Sequence, residues 1–292
     1  MIREADMQKK DTREAVFAGS WYPAGAADCE REINSFLAEG DFPPPRLEKM
    51  IGGIVPHAGW HFSGSIAAKV IRCLQPSPPP EVVLLFGMHL GANAPFVMMP
   101  EGAWDTPFGE LPVDSDLAAE LVQLADFQLE TPRTFNQDNT IELQLPFIKY
   151  FWPESKLVAI GTPADRRAID FGRAAADAVQ RMGRRVRVVG STDLTHYGYN
   201  YGFTTRGTGA VAVQWVKEEN DRRVIEAMLE MDAERVLMEA RENRNACCAG
   251  AAAAALSAAR RLGAAEARTV AYATSYDKSP GDSFVGYVGL VF

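Results

Sequence analysis

Short apolar runs alternate along this chain with segments whose apolar positions recur at helical spacing, the pattern of a sheet covered by helices on both faces. IGGIV at 51–55, SIAAKVIRCL at 65–74 and EVVLLFG at 81–87 read as strand, helix and strand. DTPFGELPVD at 105–114 predicts a short strand or hairpin, which feeds a helix beginning near Asp114 or Ser115, residues suited to capping free N–H groups. KLVAIG at 156–161 predicts a further strand, followed by a helix with Thr162 as its cap and Pro163 in its first turn, where a missing N–H is harmless. RVRVVGS at 185–191 is another buried strand. From Val211 to Arg241 the chain is charged and periodic, as in amphipathic helices, and AGAAAAALSAARRLG at 249–263 predicts a close-packed alanine helix ending at Gly263. SFVGYVGLVF at 283–292 closes the chain as a strand. The proline-dense runs GDFPPPR at 40–46 and QPSPPPE at 75–81 are loops too short to link domains, and no segment repeats at a solenoid period. The expectation is one α/β domain over residues 1–292, with a central mixed sheet flanked by helices.

Composition narrows the function classes. With 292 residues and 47% hydrophobic content the chain can bury a large core. A net charge of -8 with no Lys/Arg-dense face excludes a nucleic-acid scaffold. MIREADMQKKDTRE at the start lacks the apolar core of a signal peptide, and no run of about 20 apolar residues follows, so a cytoplasmic protein without membrane contact is expected. Cys29, Cys73, Cys247 and Cys248 show no CxxC spacing, and the adjacent pair is poorly placed for a mutual disulfide, so free thiols are expected.

The histidines do not scatter. Of the four, His57 follows IGGIV, His89 follows VVLLFGM and His196 follows VRVVGSTDLT. Loops beyond the carboxyl ends of strands in an open α/β sheet converge on one crevice, where ligands bind. A single loop histidine is ordinarily a hydrogen-bonded surface or core residue, but two at successive strand ends favour a shared site. His61 stands four residues after His57, the spacing of a helical zinc chelate, but Pro56 and Gly59 argue against one helix through both. It is read as a neighbour of the site or as solvent-exposed. Asp193, three residues before His196, either orients that ring and raises its basicity or caps the following turn. Glu142 lies beside the apolar stripe Ile141, Leu145 and Ile148, and is either solvated or turned into the crevice. Cys247 and Cys248 open the alanine helix, whose dipole favours thiolate, so they are metal ligand, nucleophile or small core residues.

FAGSWYP at 17–23, VPHAGWHFSG at 55–64, FGMHLG at 86–91, DTPFGELPVD, NTIELQLPF at 139–147, GSTDLTHYG at 190–198, ACCAG at 246–250 and the closing GDSFVGYVG run almost from end to end. Together they resemble the Memo-like family, protein B of the AmmeMemoRadiSam system, whose fold is similar to that of class III extradiol dioxygenases. The resemblance implies a metal site built from His57, His89 and Cys247, with Asp193 and His196 lining the same cavity. It also implies a radical SAM protein and an AMMECR1-like protein as partners, and an unknown small molecule as ligand. Three positions depart from the family pattern. Cys247-Cys248 replaces the usual Cys-Gly, which leaves either thiol open as the ligand, with Cys247 chosen by alignment; Asn139 stands where a histidine is common, and Leu90 follows His89 in place of a second histidine.

Two imidazoles and a thiolate suit one transition-metal ion, iron or copper first and zinc also, and exclude magnesium and calcium, which prefer oxygen. The ligand atoms are expected to meet within coordination distance, with His196 in the same crevice, held by Asp193 or a water, outside the coordination shell. Three readings follow. The first is a redox-metal enzyme with a dioxygenase-like fold, with His196 as acid/base, Asp193 as its orienter and Glu142 as a further acid. The second is a non-catalytic metal carrier or partner-binding protein. The third is a metal-free Cys247 hydrolase or transferase. With Asn139 in place of an imidazole and a thiolate as third ligand, cleavage of simple catechols is not expected.

Overall fold

A computed structural model of the protein describes residues 11–40, 45, 47, 49–75 and 78–292. Most of the run at 40–46, two positions of the run at 75–81 and the first ten residues, on which the absence of a signal peptide was read, lie outside the described residues. The strands are β1 (Thr12–Arg13), β2 (Gly52–Val55), β3 (Val82–Gly87), β4 (Phe96–Met98), β5 (Ala103–Trp104), β6 (Leu111–Pro112), β7 (Phe127–Leu129), β8 (Lys156–Gly161), β9 (Val186–Ser191), β10 (His196–Gly198), β11 (Arg268–Thr274) and β12 (Ser283–Val291). The helices are α1 (Ala26–Ala38), α2 (Trp60–Cys73), α3 (Ser115–Val122), α4 (Asn139–Glu142), α5 (Leu145–Phe151), α6 (Arg166–Arg181), α7 (Ala210–Trp215), α8 (Asp221–Leu229), α9 (Ala233–Asn243) and α10 (Ala249–Arg261).

Among the described residues nine strands form the main sheet, in the order β10-β12-β2-β9-β3-β8-β4-β7, with β11 also paired to β12. β2, β9, β3 and β8 are parallel to one another, whereas β12 runs antiparallel to β2 and β4 antiparallel to β8. The sheet is therefore mixed, and β1, β5 and β6 make a separate small sheet. The strand-helix-strand unit read at 51–87 is present, with β9 inserted between its two strands. Because the central strands are buried on both faces, they read as continuous apolar runs without alternation.

Two residues in succession on β2 show the two helical layers, since neighbouring strand positions point to opposite faces. A Cβ on Gly53 would lie 2.7 Å from Val70 of α2, while Ile54 and a Cβ on Gly190 meet on the side of Ala255 in α10. α10 is buried from Ala249 to Ala259. Its small side chains allow close approach, and a Cβ on Gly172 of α6 would sit 2.4 Å from the Ala254 carbonyl oxygen. Asp114 caps α3 by accepting from Leu117 N, as the sequence suggests.

The cap of α6 differs from expectation. Asp165 accepts from Arg167 N and the helix starts at Arg166, whereas Thr162 Oγ1 donates back to Ile160 O. The Thr162-Pro163 segment instead packs against α10, where a Cβ on Gly250 would lie 2.2 Å from the Pro163 carbonyl oxygen. A carboxylate satisfies helix N–H groups more strongly than a hydroxyl does, so the start moves to the acid. All four cysteines are free, and no helix among the described residues is long and apolar enough to cross a membrane.

α7 continues through a π turn at Val216–Asn220 into α8, and this turn aims Asn220 and Asp221 at the sheet. The buried Asp221 carboxylate accepts from Thr195 N at 3.0 Å and from Tyr272 Oη at 2.7 Å, in space left by Gly286. Burial pushes its pKa up to about 6, against the opposing pull of those hydrogen bonds. In the unfolded chain an aspartate titrates near about 4, so the folded chain holds this proton more tightly. The resulting stability is fully present below about pH 4 and is lost as pH rises through about 6. Urea unfolding across that window should show wild type losing on the order of 2–3 kcal/mol relative to Asp221→Asn; parallel pH profiles would contradict this placement.

Candidate metal centre

β2, β9 and β3 lie side by side and end at Val55, Ser191 and Gly87, and His57, Asp193 and His89 each stand two residues beyond those ends. Equal offsets on parallel neighbours bring the three residues to one edge of the sheet. Before His89, Met88 adopts φ 67, the left-handed region that side chains seldom occupy, and its N–H donates to Thr140 Oγ1 at 2.6 Å. This turn diverts the chain from the strand direction. The His57 and His89 rings then meet edge to face, with centroids 5.0 Å apart.

His57 is held from every side. Its N–H donates to Asp193 Oδ1 at 2.7 Å, and its carbonyl accepts from Asn139 Nδ2 at 2.9 Å. Its Nδ1 lies 3.0 Å from Ser191 Oγ, and that hydroxyl donates its single hydrogen to Thr140 O at 2.7 Å. Ser191 Oγ must therefore accept from Nδ1–H, which leaves Nε2 as the free position on the ring. A carbonyl or hydroxyl behind one ring nitrogen is the usual means of aiming the other at a metal. Nε2 points at Cys247 Sγ, 3.2 Å away.

The thiols arrive from the start of α10, where Cys248 is the residue just before the first turn. Cys247 N donates to Asp193 O at 3.1 Å and Cys248 N to Thr192 Oγ1 at 3.1 Å, while Asp193 N donates to Cys247 Sγ at 3.3 Å. Burial by itself would push the Cys247 thiol up, but the Cys248 thiol and the His57 and His89 imidazoles outweigh it and hold Cys247 well below the ordinary thiol range. Burial likewise opposes charge on His57, yet the Asp193 carboxylate and the Cys247 thiolate raise it to about 9. The two form an imidazolium-thiolate pair in which a metal ion would replace the Nε2 proton. Burial pushes the Asp193 carboxyl up, with the facing His57 opposing.

His57, His89, Cys247 and Cys248 each offer a ligand atom, and these atoms all lie within 4.8 Å of one another. Two borderline nitrogen donors and soft sulfur fit a transition metal rather than a hard cation. His57 is 2% exposed, whereas the His89 side chain is 46% exposed and faces Asp138 Oδ2 at 3.9 Å. One ligand is thus fixed and one remains open to solvent.

A cavity of about 650 Å³ adjoins the cluster, and all four histidines of the chain line it. His61 does so from α2, outside the cluster and not on one helix with His57. His196 packs its ring against Tyr201, with centroids 4.9 Å apart, outside the cluster also. Among the described residues Asp193 makes no hydrogen bond to His196. Asp193 instead takes the His57 amide, because the parallel register sets it beside β2. Glu142 is neither solvated nor turned into the crevice. It is 2% exposed, lies away from the cavity lining, and its Oε1 accepts from Phe17 N at 2.7 Å and Tyr22 Oη at 3.0 Å. Burial pushes its pKa up against those hydrogen bonds. Its carboxylate ties down the segment that carries Ser20 and Trp21 to the cavity wall. Ser191 is a site residue that the sequence reading missed, although its place at the end of a buried strand beside two histidine-bearing neighbours was a usable signal.

This is an α/β protein with a candidate transition-metal centre at the carboxyl edge of a mixed sheet. The model of the Memo-like protein family matches residues 13–291, and the chain belongs to that family. A MEMO1 family protein of Pyrococcus abyssi is 33% identical over 289 residues, covering 96% of this chain and 98% of its own length. One from Methanopyrus kandleri is 32% identical over 293 residues, covering 96% and 98%. In fold the chain is similar to the crystal structure of an uncharacterized protein from Escherichia coli K12, with a TM-score of 0.54 and 14% identity, covering 84% of this chain and 100% of that one.

Removing the acceptor behind His57 frees the ring to turn. Ser191→Ala is expected to weaken metal binding by about 10- to 100-fold in a chelator competition; unchanged affinity would contradict the tautomer assignment. Glu142→Ala strands Phe17 N and the Tyr22 hydroxyl and should lower unfolding free energy by about 2–4 kcal/mol while leaving metal affinity within a few-fold. Loss of metal binding without loss of stability would return Glu142 to the site.

Proposed function

We propose that this protein holds one transition-metal ion, iron or copper first and zinc also, on His57, His89 and Cys247, and presents it to a small molecule bound in the adjoining cavity. The observation that carries the reading is the fixed His57 tautomer, with Nε2 aimed at Cys247 Sγ 3.2 Å away and His89 beside them. An ion in such a site supplies Lewis-acid or one-electron chemistry. The chain's own residues do the rest. His196, on the cavity wall and off the cluster, carries a proton to or from the bound molecule. Asp193 keeps His57 in place through the His57 amide. Ser275, Ser279 and Ser283 offer hydroxyls on the same wall, and Trp21 and Tyr201 offer aromatic faces, which supports a ligand recognised by hydrogen bonding and ring contact.

Extradiol ring cleavage is not part of this reading. Asn139 uses its amide to hold the His57 carbonyl, and an amide cannot take up a catechol proton as an imidazole would. The test is metal analysis after anaerobic purification, followed by titration with ferrous, cuprous and zinc ions. One equivalent is expected to bind in wild type and in His196→Ala, and affinity should fall by at least about 100-fold in His57→Ala and Cys247→Ala. Wild-type affinity in either ligand variant would overturn the assignment.

A further inference from the structure

The second thiol of ACCAG is not used by a three-ligand site. We propose that Cys248 is also a ligand, so that the ion sits in a four-ligand His2Cys2 site. The inference rests on the metal-binding reading above and deepens it.

Spacing comes first. Cys247 Sγ and Cys248 Sγ are 3.8 Å apart, and two thiolates each about 2.3 Å from one tetrahedral ion stand about 3.8 Å apart. Adjacent cysteines usually direct their side chains differently, so this convergence needs a cause. The backbone amides supply it, because Cys247 N donates to the Asp193 carbonyl and Cys248 N to the Thr192 hydroxyl, which pins both residues to two adjacent residues just past β9.

Cys29, also buried, donates its thiol to Pro23 O, as a structural cysteine does, whereas the Cys248 thiol has only Cys247 Sγ as a hydrogen-bond partner among the described residues. Cys248 is 3% exposed and belongs to the four-residue cluster. The two imidazoles line the large cavity, Cys247 borders a separate cavity beside Asp165 and Leu237, and Cys248 lines neither. Nitrogen therefore binds from the side of the large cavity, and the Cys248 sulfur from the protein side.

Charge follows from the donor set. Two thiolates neutralise a divalent ion, so a His2Cys2 site holding zinc carries little net charge, and its softness selects thiophilic ions such as zinc or cuprous copper over magnesium or calcium. Such a site is coordinatively complete at rest. A cavity ligand reaches the ion only by adding a fifth donor or by displacing one of the four.

The experiment is X-ray absorption at the zinc edge of the full-length protein loaded with one equivalent of zinc, paired with optical spectra of the cobalt(II) form. Two sulfur and two nitrogen scatterers are expected in wild type. Cys248→Ser should show one sulfur, and its near-ultraviolet thiolate-to-cobalt band should fall by about half, with circular dichroism unchanged. One sulfur in wild type would overturn the role of Cys248 and leave the three-ligand reading standing. Failure of wild type to take up zinc or cobalt at all would remove both, and the wild-type sulfur count decides the matter even where the variant folds poorly.

Discussion

Everything at this site depends on the short stretch Ser191-Thr192-Asp193, where β9 leaves the sheet. Ser191 accepts the His57 ring proton, Thr192 N donates to Val55 O at 2.9 Å, and the Thr192 hydroxyl accepts from Cys248 N. Asp193 accepts the His57 amide with its carboxylate and the Cys247 amide with its carbonyl, while its own amide faces Cys247 Sγ. Three residues of one strand end thereby fix the imidazole from β2 and both thiols from α10. Buried hydrogen bonds of this kind are costly to leave unmade, so the geometry has few alternatives.

The reach of α10 follows from its composition. A helix of alanines can approach the sheet closely where the sheet also offers glycine, and a Cβ on Gly190 would already lie 2.8 Å from that of Ala255. A second close contact, between Gly250 and the Pro163 carbonyl, sets the height of the helix start. Larger side chains at these contacts would lift the helix and carry Cys247 and Cys248 away from His57. Packing in the core is thus what determines whether the donor atoms meet.

Much of this was legible in the chain itself. Apolar runs of four to six residues marked β2, β3, β8 and β9, and the histidines just past two of them marked the end of the sheet where the site lies. The thiols at the head of an alanine helix were readable from helix electrostatics. What periodicity did not carry was the partner of each polar group. Glu142 binds Phe17 across 125 positions and Asp193 binds His57 across 136, and only strand order decides such pairs. Asp193 stands three residues from His196 in the chain, yet β9 lies beside β2, and register outweighed proximity in sequence. The cap of α6 was misplaced for a local reason, since Asp165 outcompetes Thr162 for the free N–H groups.

The central claim is that His57, His89 and Cys247 hold one metal ion at the carboxyl edge of the sheet. A crystal structure of anaerobically purified protein, with anomalous data on both sides of the absorption edge of the metal found by mass analysis, tests it most directly. A single anomalous peak about 2.0–2.1 Å from His57 Nε2 and a His89 ring nitrogen, and about 2.3 Å from Cys247 Sγ, is the predicted result. A stoichiometric metal with its peak elsewhere, and these side chains in contact only with one another, would contradict it.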